Sequence, residues 1–176
     1  MQMTMFKKLA FYSCCAAIAL SYAPALTRPD AAQAQQNAGI ILWGSAKDKA
    51  LDYVLDYGRA NQTDRYYLEI PAQKFAVSEI LVTYPESFTG EFDQSSIDLR
   101  VNNKNLPLQS AKWNKEARVV EVVLQEPVPA NKPMKLVLSN VQNPTFGGLF
   151  QFDARVRGNT DLPMLRYIGS WVIGLQ

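Results

Sequence analysis

The feature that most constrains this chain is a period of two. In "LFQFDARV", Phe150, Phe152, Ala154 and Val156 alternate with Gln151, Asp153 and Arg155. Successive side chains of a strand point to opposite faces, so this pattern belongs to a strand with one buried face. The pattern recurs. "RYYLEI" sets Tyr66, Leu68 and Ile70 inward, "SIDLRV" sets Ile97, Leu99 and Val101, "RVVEVVL" sets Val120, Val122 and Leu124, and "MKLVL" sets Met134, Leu136 and Leu138. "SEILVTY" reads as a strand that stops at Pro85, and "GIILWG", residues 39–44, as another. In "LDYVLDY", Asp48, Asp52 and Asp56 repeat every four residues. A helix there would stack like charges along one side. The strand reading is preferred and puts Leu51, Tyr53, Leu55 and Tyr57 on one face. "YIGSWVIGL" is apolar on both faces, as a central or well-covered strand is.

Roughly nine short strands result, punctuated by Pro, Gly and Asn. A sheet with one apolar face must pack on a second sheet or close on itself. The expected fold is all-β: an antiparallel two-sheet β-sandwich, immunoglobulin-like, with a small barrel as the alternative.

The N-terminus follows a different rule. Lys7 and Lys8 precede the apolar run Leu9–Leu26, and Ala32-Gln33-Ala34 ends the segment in a small-x-small pattern. Basic, apolar and small in that order make a secretory signal peptide over residues 1–34, cleaved before Gln35. A retained anchor is the alternative. Ser13, Ser21 and Pro24 interrupt the run, and spanning takes about 20 strongly apolar residues. The expectation is one domain over 35–176, with no membrane span left, placed outside the cytoplasm in the periplasm or at the cell surface. Cleavage also changes the charge. The 18 basic and 16 acidic residues, less Lys7, Lys8 and Arg28 on one side and Asp30 on the other, leave 15 of each. A neutral chain has no electrostatic case for nucleic acid.

The chain has no histidine, and its two cysteines, Cys14 and Cys15, lie inside the leader. Ser-His-Asp and Cys-His catalysis are thereby excluded from the mature chain. So are Cys/His zinc sites and two-His-one-carboxylate iron sites. Copper would rest on Met134 and Met164 alone, and Met134 is patterned as core. No cofactor and no enzyme activity are expected. Carboxylates remain: "YPESFTGEFDQSS" carries Glu86, Glu91 and Asp93. Two carboxylates at a set separation can hydrolyse a glycosidic bond, and several can hold calcium. The loop has neither a D-x-D-x-D-G pattern nor an acid/base spacing, so a solvated loop is the preferred reading.

Trp113 lies in "KWNKEAR", which reads as a hairpin tip between "LPLQSA" and "RVVEVVL". A tryptophan there would stack on a sugar or dock a partner, or else fold back over the core. Trp43 and Trp171 sit in apolar strands and read as core. In "QEPVPANKPMKL", three prolines prevent an interior strand and point to an extended connection or an edge. Asn131 suits a left-handed turn there. "VQNPTFGGLFQFD" reads as a corner. Asn143 bonds the turn, Pro144 ends a strand, and Gly147-Gly148 allow positive φ. Thr145 and Phe146 are left without a structural duty, and Phe146 is the second candidate binding residue.

The C-terminal half resembles the DUF2808 family. The residues that carry the likeness are Pro127 and Val128, Asn143 and Pro144, Gly147 and Gly148, Phe150 and Phe152, and Tyr167, Ile168 and Gly169. The likeness covers roughly residues 64–175, with "YYLEIPA" and "ILVTYPESFTGEFD" as its earlier strands. It implies a cyanobacterial, exported protein and assigns no catalytic or ligand residue. Three functions follow as expectations. The first is a non-catalytic envelope or periplasmic module whose partner is an envelope protein or a polysaccharide. The others are a carboxylate-dependent hydrolase acting on glycans and a calcium-stabilised module.

Overall fold

The computed structural model describes residues 49–158 and 164–176. The expected signal peptide over 1–34, the expected strand 39–44 with Trp43, and the segment 159–163 lie outside the described residues.

Ten strands run in chain order: β1 (Tyr53–Leu55), β2 (Thr63–Ile70), β3 (Val77–Thr83), β4 (Ile97–Val101), β5 (Lys104–Asn105), β6 (Leu108–Asn114), β7 (Val119–Val128), β8 (Met134–Gln142), β9 (Gly148–Gly158) and β10 (Leu165–Leu175). They form two five-stranded sheets, ordered β1-β2-β8-β4-β5 and β10-β9-β3-β7-β6. Every strand pairing is antiparallel. The chain is therefore a β-sandwich of immunoglobulin-like type, as the alternation predicts, and not a closed barrel. Among the described residues no helix is long and apolar enough to cross a membrane.

The inward residues of both sheets meet in one core. Tyr66, Leu68, Leu99, Val122, Leu136, Phe152 and Trp171 are fully buried. Each such side chain contributes about 1.5–3 kcal/mol relative to exposure. Trp171 is core, as expected, and its indole N–H donates to the Glu69 carbonyl across the sheets at 3.1 Å.

Two expectations need correction, at Tyr57 and at Trp113. Tyr57 does not join the inward face and is 63% exposed. The strand ends at Leu55, because the Asp64 carboxylate accepts from the amides of Tyr57 and Gly58 and draws the chain into a turn. β10 is not central but the edge of its sheet. Its flank is covered locally by residues 49–51, which bond it in parallel through Ser170 N to Lys49 O (2.8 Å) and Leu51 N to Ser170 O (2.9 Å). Gly169 makes room for that crossing: a Cβ there would sit 2.4 Å from the Lys49 carbonyl oxygen. Trp113 lies within β6 and not at the hairpin tip, which is Lys115–Arg118. The proline segment runs as strand as far as Val128. Pro127 is tolerated because β6 pairing ends at Leu124, leaving β7 as an edge beyond it.

Candidate functional site

Several loops gather at one end of the sandwich: β1–β2, β3–β4, β6–β7 and β8–β9, with the end of β10 among them. Two buried polar residues knit this end together. Asp64, 3% exposed, accepts from the backbone amides of Tyr57 (3.1 Å), Gly58 (2.7 Å) and Arg65 (2.7 Å). The Asn143 amide donates to the Arg59 carbonyl (2.6 Å) and to Asp64 (3.3 Å). Its oxygen accepts from the Tyr66 hydroxyl at 2.5 Å. Burial, and then the Asp64 charge, push the Tyr66 hydroxyl above its ordinary range, so it stays a neutral donor. The chain end is stitched in as well: Gln176 N donates to Gly58 O (2.9 Å) and Ala60 N to Gln176 O (2.7 Å).

This scaffold presents apolar side chains to water. Gly147 is packed against the end of β10, where a Cβ would lie 2.5 Å from the Leu175 carbonyl oxygen. Its constraint is that contact, since only Gly148 of the pair has positive φ. The tight passage leaves Phe146 outside the fold, 82% exposed, with Leu149 at 68% and Val54 at 58%. Leu149 covers Gly174, and the Tyr53 hydroxyl accepts from the Gly174 amide at 3.0 Å. A half-open cleft of about 380 Å³ runs between β1 and the end of β10, lined by Tyr53, Val54, Tyr57, Gly174 and Gln176 among others. Leu149 pairs with Gly174 near the end of β10, and Val54 and Tyr57 line the cleft.

Trp113 belongs to the same end but lies back on the core. It is half-buried, its indole N–H donates to the Tyr84 hydroxyl at 2.7 Å, and its ring meets Phe92 edge-on at 5.8 Å. The β3–β4 loop is held from beneath by Phe88 and Phe92, both buried and packed on Phe152. The acidic residues of this loop have separate surroundings. Glu86 is exposed. Glu91 pairs with Lys115 at 2.7 Å. Asp93 caps a single 3-10 turn, accepting from Ser95, Ser96 and Asn140, and the Ser95 and Ser96 hydroxyls lead in holding its carboxyl well below the usual range. Among the described residues no group of three or more His, Cys, Asp or Glu side chains is placed to hold a metal ion.

Asp64 was not singled out from the sequence, although it falls in phase with Tyr66, Leu68 and Ile70 and so on the inward face. The phase was the available signal.

Two five-stranded antiparallel sheets around one core define an immunoglobulin-like β-sandwich domain. Within that class, the chain belongs to the DUF2808 family, described as a protein of unknown function, whose sequence model matches residues 42–175. No curated protein matches it. Among solved structures it is similar to BslA, described as a bacterial hydrophobin: 17% identity, TM-score 0.50, covering 76% of this chain and 97% of that one. A collagen-binding domain from a Staphylococcus aureus adhesin gives 9% identity and TM-score 0.42, covering 72% and 96%. An uncharacterised immunoglobulin-like protein from Nocardia farcinica gives 11% and 0.42, covering 72% and 97%. These likenesses concern the fold.

Proposed function

We propose that the protein is an exported, non-catalytic binding module of the cell envelope or periplasm, engaging an envelope protein or polysaccharide through the end that carries Phe146. The observation that carries this reading is the 82% exposure of Phe146, three residues beyond Asn143 of the Asp64–Asn143–Tyr66 network, together with the exposure of Leu149, Val54 and Tyr57. Adjoining apolar residues held in water on a rigid support are characteristic of interaction surfaces. The address rests on the basic, apolar, small-x-small leader over residues 1–34.

The test uses the mature chain, immobilised, against solubilised envelope fractions of the source organism. A defined component should be retained by the wild type and lost with Phe146→Ser/Leu149→Ser. Phe146→Ala should leave thermal stability within about 0.5 kcal/mol of wild type, as surface substitutions do. Equal retention by wild type and double variant would sink the reading, and so would a large stability loss in Phe146→Ala. N-terminal sequencing of the processed protein should begin at Gln35.

A further inference from the structure

Farther along β9 and β10, on the face of the sheet turned from the core, a second arrangement is built around Tyr167. Directly opposed residues of an antiparallel pair share a face, so Tyr167 stands beside Arg155 and Ser170 beside Asp153. Ser170 is buried to all but 8%. Its Oγ lies 2.6 Å from Asp153 Oδ1 and 2.6 Å from the Tyr167 hydroxyl. The carboxylate can only accept, so Ser170 spends its single proton on Asp153 and Tyr167 must donate to Ser170. The result is a directed chain, Tyr167 to Ser170 to Asp153, whose members polarise one another. Gln151 donates to the same Asp153 oxygen at 2.8 Å.

This chain fixes an aromatic ring that is still 40% exposed. Polar side chains with hydrogen-bonding capacity surround it. Arg155 donates one N–H to Thr83 at 3.0 Å, and its contact with Asp153, at 4.0 Å, is too long for a hydrogen bond. The Arg155 side chain is 35% exposed. Exposed Lys49 places its ammonium over the Tyr167 ring, 5.2 Å from the centre. Pairing of β9 with β10 does not require a tyrosine tied down and left half in water.

We propose that this face of β9 and β10 is a subsite for one sugar ring of an acidic, uronate-bearing polysaccharide. A pyranose offers an apolar face of C–H groups and a rim of hydroxyls. A pyranose that displaces the Lys49 ammonium from above the ring meets Tyr167 through the first, and Gln151, Asp153 and Arg155 supply planar partners for the second. Lys49 and Arg155 set two cations against the one carboxylate of Asp153, which selects a negatively charged ring. The subsite does not depend on Phe146, so the two surfaces can fail separately.

Affinity electrophoresis of the mature chain in gels containing polygalacturonate, with dextran as the neutral polymer, tests this. Polygalacturonate should retard the wild type and dextran should do so less. Tyr167→Ala and Arg155→Gln should each raise the apparent Kd about tenfold or more, while Phe146→Ser/Leu149→Ser should bind as wild type does. Arg155→Gln changes an exposed side chain and keeps the assay readable if Tyr167→Ala folds poorly. Absence of retardation of the wild type by polygalacturonate overturns the proposal. So does full binding by Tyr167→Ala with loss in Arg155→Gln, which would mean charge attraction alone.

Discussion

Replacing Asn143 by alanine should be among the most damaging single changes at the loop-bearing end. Asn143 is 3% exposed, and its amide serves three partners. They are not equivalent. The Tyr66 hydroxyl is fully buried and has no route to solvent; left without an acceptor it costs about 1–3 kcal/mol. The Arg59 carbonyl lies in an exposed loop and regains water, so that bond costs about 0.5–1.5 kcal/mol at most. Asp64 keeps three backbone donors and loses little. The sum is about 1.5–4.5 kcal/mol. Urea unfolding should show it as a lower midpoint with an unchanged slope. Tyr66→Phe removes the donor instead and should cost about 1–2 kcal/mol by leaving the Asn143 oxygen unpaired. Because both changes break one bond, the double variant should lose at least about 0.5–1 kcal/mol less than the sum. A loss below about 0.5 kcal/mol for Asn143→Ala, or strictly additive losses, would mean that water takes over the network and that it does not brace this end.

Gly169→Ala forces a Cβ to within 2.4 Å of the Lys49 carbonyl oxygen. It should cost about 1–3 kcal/mol and speed hydrogen exchange at the Leu51 and Ser170 amides; unchanged exchange would argue against the crossing. Asp93 has a folded-state pKa depressed below its ordinary 3.8, so its contribution to stability is present above that value and lost as pH falls through the folded pKa. Asp93→Asn should therefore be less stable than wild type at neutral pH, and the two stability curves should converge below about pH 4; a constant gap down to pH 2 would refute the assignment.

Much of this fold is legible locally. Period-two alternation placed Phe150, Phe152, Ala154 and Val156 inward, and all four are buried. Asn131 was read as a left-handed turn residue, and its φ is 63°. What failed depends on residues distant in sequence. Asn143 reads as a turn side chain, yet its main partner is Tyr66, 77 residues away. Gly147 reads as a residue of free φ, yet a carbonyl from the far end of the chain constrains it. Tyr57 continues the alternation, but Asp64 turns the chain before the pattern can be used. Of the candidate site, Phe146 could be reached by elimination, because its corner left only Thr145 and Phe146 without a structural role. Tyr167 could not be reached, since only the register between β9 and β10 brings it beside Arg155.

The strand order also dictates when this chain can fold. β2 lies between β1 and β8, and β3 between β7 and β9. No stretch ending before Met134 contains a complete sheet. During synthesis the first strands must wait, with their edges open, until β8, in the last quarter of the chain, has emerged. Topologies dominated by such distant pairings fold in milliseconds to seconds rather than microseconds. A product truncated before β8 would expose unpaired strands and aggregate.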